Sequence, residues 1–196
     1  MRLLFAAFMT SLLGTAAAAQ VKYFPDGSLS DVPESDQFRA KWYSEELAAL
    51  EEPSLWESSK TQKTQSYRFL WLRTFHHPIA IRVDVNTDGT SRLTTKMTSG
   101  TGVDAPGKLV ENHTVTMSKE PTDWFLGKIA EHNFWNLSSA EDRGGNDGAQ
   151  WIVEGIKDGS YKIVDRWTPR DGDVRAIGLV MVNDLAKLKL PSKEVY

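Results

Sequence analysis

The chain contains no cysteine. Disulfides, thiolate-bound zinc, a cysteine nucleophile and lipid attachment through a thiol are all excluded with it. Histidine is scarce, with 4 residues. His76, His77, His113 and His132 show neither H-x-x-x-H nor H-E-x-x-H spacing, so no metal-site pattern is visible. Neither sign of charge dominates: Lys+Arg 23 stand against Asp+Glu 26, giving a net charge of −3 and a pI near 5.8. No basic field therefore attracts nucleic acid. A G-x-S-x-G elbow is missing, and Gly100-Thr101-Gly102 lacks the rest of a phosphate-binding fingerprint and its strand–loop–helix setting. Internal repeats, heptads and low-complexity tracts are absent. Beyond the N-terminal segment no apolar run is long enough to span a bilayer.

What is present is the composition of a folded domain, 40% hydrophobic and 25% charged over 196 residues. The first segment reads as an address. Met1-Arg2 precedes the apolar run Leu3 to Met9 and Leu12-Leu13, and Ala16-Ala17-Ala18-Ala19 follows the break at Gly14. A short apolar core ending in small residues is the pattern of a cleaved secretory signal. Residues 1–19 are expected to be removed after Ala19, leaving 20–196 as a single domain in the periplasm or outside the cell. No membrane span is expected after cleavage.

Residues 20–34 read as an irregular lead-in. A helix is predicted from Ser35 to Leu50, with Phe38, Trp42, Leu47, Ala49 and Leu50 on an apolar arc, ended by Pro53. Residues 51–63 read as a loop or a poorly formed helical turn. Tyr67 to Phe75 is apolar on both faces, the mark of a central strand covered on both sides. Ile79 to Val85 alternates and is joined to Leu93–Met97. A three-residue loop, Thr87-Asp88-Gly89, sets Val83 opposite Leu93 and Ile79 opposite Met97, which keeps the apolar face intact. A fourth strand follows the glycine-rich loop 99–107, with His113 read as a semi-buried imidazole beside Leu109, Val115 and Met117. A helix over 121–133 comes next. The strands Ala149–Lys157 and Ser160–Trp167 form a hairpin about Asp158-Gly159. The last helix carries Val174, Ile177, Met181, Leu185 and Leu188 and is capped by Asp171 or Asp173. The expected fold is α+β in the order α-β-β-β-β-α-β-β-α, an antiparallel sheet of about six strands with three flanking helices.

Chemistry concentrates in the last hairpin. A two-residue turn sets Glu154 opposite Ile163 and Asp165 opposite Ile152, so the two carboxylates share a face and lie diagonally within reach. Such a pair divides acid and base roles if desolvation separates their pKa values, with Asp147 on the adjoining loop as a third acid. The plainer alternative is neutralisation across the sheet by Arg68, Arg73 or Arg82. Trp151, Tyr161, Arg166 and Trp167 are the ligand-binding candidates, for a cationic or sugar-like molecule. Which hairpin face is core stays open. The 7 tryptophans otherwise sit at periodic positions where rings build cores. Asp84, Asn86 and Asp88 match the start of a calcium loop, but Thr95 stands where the bidentate Glu belongs and the flanks read as strands. No cofactor is expected.

The stretches Gly145-Asn146-Asp147-Gly148-Ala149-Gln150-Trp151-Ile152-Val153-Glu154 and Tyr161-Lys162-Ile163-Val164-Asp165-Arg166-Trp167-Thr168-Pro169 resemble a family of uncharacterised exported bacterial proteins. The resemblance covers about the last third of the chain. It implies bacterial export and carries no catalytic role. Three readings remain: a non-catalytic module binding a small ligand or an envelope protein, a hydrolase using Glu154 and Asp165, and a structural subunit of an envelope complex.

Overall fold

A computed structural model describes residues 21–61, 64–141 and 144–196. The expected signal segment and its cleavage site lie outside the described residues. The chain forms α1 (Pro33–Ala49), α2 (Leu55–Thr61), β1 (Gln65–Arg73), β2 (Ile79–Val85), β3 (Ser91–Thr98), β4 (Leu109–Met117), α3 (Lys119–Glu131), β5 (Ala149–Lys157), β6 (Ser160–Trp167) and α4 (Asp173–Leu179). The expected order holds, with α2 added where a loop or weak turn was predicted. Six strands make one antiparallel sheet in the order β4-β3-β2-β1-β5-β6.

The strand β1, apolar on both faces, is central, and only Gln65 along it escapes full burial. Its alternate residues feed two cores. Tyr67, Phe69 and Trp71 pack with Phe125 and Ile129 of α3 and Val174 and Ile177 of α4. Leu70 and Leu72 pack with Tyr43, Leu47 and Leu50 of α1 and with Tyr23, Phe24 and Leu29 of the irregular lead-in. The question of which face of the 149–167 hairpin is core resolves as both: Trp151, Val153 and Val164 join the first cluster, Ile152 and Ile163 the second.

The β2–β3 register is the one that a three-residue loop requires, Val83 against Leu93 and Ile79 against Met97. Gly89 sits at φ 83, the left-handed conformation such a loop needs after its turn. In the β5–β6 hairpin, Glu154 faces Ile163 and Ile152 faces Asp165.

Four expectations need correction. Phe38 is 66% exposed, because the buried stripe of α1 runs through Asp36, Tyr43, Glu46 and Leu47 instead. Phe75 lies beyond the end of β1 and is 65% exposed. His113 is not semi-buried: β4 is an edge strand with residues 110–116 exposed on both faces. Neither Asp171 nor Asp173 caps α4; Gly172 occupies that position, and the helix runs on into a π-helical turn, Val180–Leu185.

Candidate functional site

The two hairpin acids share the α1-facing side of the sheet, as expected, and the structure shows what each meets there. Glu154 is completely buried. Its Oε2 accepts from Arg68 Nε at 2.8 Å and Nη2 at 2.5 Å, and its Oε1 accepts from the Tyr161 hydroxyl at 2.8 Å. Burial disfavours the Arg68 charge, but Glu154 and Glu52 outweigh it and hold the guanidinium pKa above its ordinary value. Burial and Glu154 push the Tyr161 phenol well up. Glu154 is thus the neutralised acid of the plainer alternative, with Arg68 as its partner. Arg82 serves Glu52 and Asp84, and Arg73 lies beside Glu194.

Asp165 is held differently. Its Oδ2 accepts from the Tyr43 hydroxyl at 2.9 Å, and Arg39 Nη1 stands 3.6 Å from it. Its Oδ1 has no hydrogen-bond partner. Burial pushes its pKa up to about 6, against the smaller opposing effects of Tyr43, Arg39 and Arg166. One turn along α1, Glu46 is buried, and burial raises it to about 8 against a smaller lowering effect of the Trp42 N–H. Tyr43 and Glu46 were not among the candidates read from α1, although the helix step of about 100° lines up Asp36, Arg39, Tyr43 and Glu46 at spacings of three and four. That spacing was the available signal. It was obscured by polar residues occupying the stripe that burial selects.

Beyond Arg39 the surface opens into a cavity of about 510 Å³, lined by Glu34, Ser35, Phe38, Arg39 and Trp42 of α1, Val103 of the glycine-rich loop, Gly144 to Asn146, Gln150 and Trp167. The Phe38 and Trp42 rings lie 6.0 Å apart on one wall. Trp167 lines the same cavity and also borders a second one of about 630 Å³ with Arg166, Pro169 and Asp173. Two glycines shape the seat of this indole. A Cβ at Gly145 would stand 2.8 Å from Trp167 Nε1, and one at Gly148 2.6 Å from Trp167 Cζ2 and closer still to the Thr168 hydroxyl. The spacing Gly145-x-x-Gly148 ahead of Trp167-Thr168 is therefore a slot for the ring.

The other candidates separate. Trp151 is fully buried, its Nε1 donating to the Tyr196 carbonyl at 2.8 Å, and is no ligand contact. Tyr161 is committed to Glu154. Arg166 fastens loop 138–141, donating to the Ser138 carbonyl and hydroxyl at 2.9 Å each, with Glu141 at 3.1 Å. Asp147 is exposed on its loop, away from the buried carboxylates. Of the four aromatic and basic candidates, Trp167 alone walls a cavity as an accessible ring.

The calcium-like run is taken up by its own hairpin. Asp84 pairs with Arg82 and Arg92 and accepts from Ser66, which holds its carboxyl below the usual range despite burial. Asp88 accepts from the Thr90 backbone and hydroxyl, and Asn86 donates to the Thr90 hydroxyl. Among the described residues no group of three or more acids and histidines is arranged to hold a metal. No helix among them is long and apolar enough to cross a membrane. Compared with known proteins, the chain matches no family model and no curated sequence.

Proposed function

We propose that the chain is an exported bacterial protein, released by cleavage after Ala19 into the periplasm or beyond, and that it acts as a non-catalytic module binding a small sugar-like ligand. The observation that carries the reading is the cleft lined by Trp167 together with the Phe38–Trp42 pair, with Gln150, Ser35 and Asn146 among its polar lining. Indole and phenyl faces suit the apolar faces of a pyranose, while amide and hydroxyl groups suit its edge. A cavity of about 510 Å³ has room for one or two rings.

The paired-carboxylate hydrolase draws less support. Glu154 has no exposed surface and all its short contacts are structural. General acid–base work needs a carboxyl within hydrogen-bond reach of substrate. The export half of the reading rests on the N-terminal pattern and on the resemblance of 145–169 to exported proteins.

The test is titration of tryptophan fluorescence with a panel of neutral and charged mono- and disaccharides. A saturable change is expected, lost in Trp167→Ala while the variant keeps a cooperative thermal unfolding transition, and lost likewise in Phe38→Ala, whose ring is 66% exposed. A panel without any saturable response, or an unchanged response in Trp167→Ala, overturns the cleft as the binding site. Export is tested by the N-terminal residue of the protein recovered outside the cytoplasm, expected to be Gln20.

A further inference from the structure

We infer that the outer edge of β4 is a pairing surface for a second copy of this chain, the two strands running antiparallel with Asn112 on the two-fold axis. The inference is independent of the cleft.

The two edges of the sheet are treated differently. On β6 the edge is closed by the chain itself: the Asp165 backbone N–H donates to the Ser139 carbonyl at 2.8 Å, and Arg166 clamps Ser138 beside it. On β4 no described strand or loop takes that place. Residues 110–116 are exposed on both faces, with Val110 at 56% and Val115 at 54%. Long edge strands in monomers are usually defended by lysine, proline, a bulge, an inward-pointing charge or a covering segment, and β4 has of these a bulge at Val110, near one end, and the single acid Glu111. The run Leu109-Val110-Glu111-Asn112-His113-Thr114-Val115-Thr116-Met117 contains no lysine, arginine or proline. From Glu111 to Met117 its register with β3 is regular, the one shift lying at Thr98 and Leu109.

Charge complementarity selects the occupant and the register. Glu111 and His113 lie on one face of β4, their side chains 3.8 Å apart. An antiparallel copy centred on Asn112 sets each Glu111 directly opposite the other copy's His113, and each Val110 opposite Thr114. Centring on Glu111 would oppose two carboxylates, and centring on His113 would oppose two imidazoles and leave Glu111 against Val115. An imidazole opposite a carboxylate can donate a hydrogen bond to it and adds charge pairing when protonated, whereas two carboxylates face to face repel. The strand is therefore self-complementary in one register, as a two-fold interface requires. The contact is small, so the dimer belongs among weak, reversible ones.

Because the chain has no cysteine, a single introduced thiol reports on this contact alone. On mild oxidation Asn112→Cys should cross-link at least about tenfold faster than Val110→Cys, whose thiols would sit about 13 Å apart, four residues out of register. Sedimentation of the purified protein from about 1 µM to about 1 mM should show a monomer–dimer equilibrium, the range expected of a small interface. His113→Glu should weaken it about tenfold by opposing two pairs of carboxylates, and Glu111→Lys/His113→Glu should restore it. These side chains are exposed, so folding is not at stake. A monomer at every concentration, equal cross-linking at 110 and 112, or a charge swap that fails to restore association would each overturn the inference.

Discussion

Replacing Glu154 by Gln tests whether the carboxylate is structural. The charge sits at zero exposure with Arg68, also at zero exposure, across two charge-assisted hydrogen bonds. In Glu154→Gln the amide must turn its NH2 either toward the guanidinium, donor against donor, or toward the Tyr161 hydroxyl. In the second orientation Arg68 keeps a neutral amide oxygen in place of the carboxylate, beside the Pro53 carbonyl at 2.7 Å and the Glu52 carboxylate at 3.5 Å, and the Tyr161 hydroxyl loses its acceptor. Removing one side of a buried ion pair costs about 3–5 kcal/mol. For a domain of this size each kcal/mol moves the melting temperature about 2–4 °C, so a fall of roughly 6–20 °C is expected. Calorimetry at pH 7 reads it, with Tyr161→Phe as a reference that loses one hydrogen bond and should cost about 1.5–3 kcal/mol. A Glu154→Gln variant within 1 kcal/mol of the parent, by the usual scatter of surface substitutions, would refute the structural assignment. A more stable variant would restore Glu154 as a strained, functional acid.

Asp165→Asn should do the opposite. With the folded pKa raised to about 6 from an ordinary 3.8, the carboxylate opposes folding above pH 6 and ceases to do so below 3.8. The variant is therefore expected to be about 1–3 kcal/mol more stable than the parent at pH 7.5 and equal to it near pH 3.5. Denaturant titration at the two pH values checks this, and an equal gain at both would show that charge is not the cause. Gly148→Ala should expel the Trp167 indole from its slot, costing about 1–3 kcal/mol and shifting the emission spectrum. Gly127→Ala, in α3 with nothing within 4 Å, should be neutral or slightly stabilising.

Strands were more legible than sites, for a physical reason. A period of two with β-branched and aromatic residues fixed β1, β2 and the last hairpin, and preserving one apolar face fixed the β2–β3 register. The shared face of Glu154 and Asp165 followed from the same counting. Arg68, on the neighbouring strand, was among the partners expected for Glu154, whereas Tyr43 was not foreseen for Asp165, because it reaches the sheet from a helix packed over it and hydrophobicity along a segment carries no information on that contact. On α1 the error had a sign. Phe38 was placed inside for being apolar, while Asp36 and Glu46, polar yet buried, were left out of the expected arc. Apolar residues left outside a core that polar ones occupy are what a binding wall looks like in sequence, and that inversion is visible only once the buried stripe is known.

The buried polar groups and the exposed aromatic wall belong to one arrangement. Asp36 accepts from the backbones of Gly27 and Leu29, and Arg39 donates to the Leu29 carbonyl, which binds the lead-in to α1. Arg39 and Tyr43 then converge on Asp165 of β6, so α1 is located against the very strand whose last residue is Trp167. An apolar seam between α1 and β6 would have supplied the same burial without fixing how far along the strand the helix sits. Directional contacts to one carboxylate fix that position, and with it the distance between the Phe38–Trp42 wall and the Trp167 ring. The cost of keeping Asp165 buried and partly unsatisfied is in this view the cost of a cleft of constant width. It follows that Asp165→Asn, though more stable, should bind the cleft ligand more weakly than the parent does.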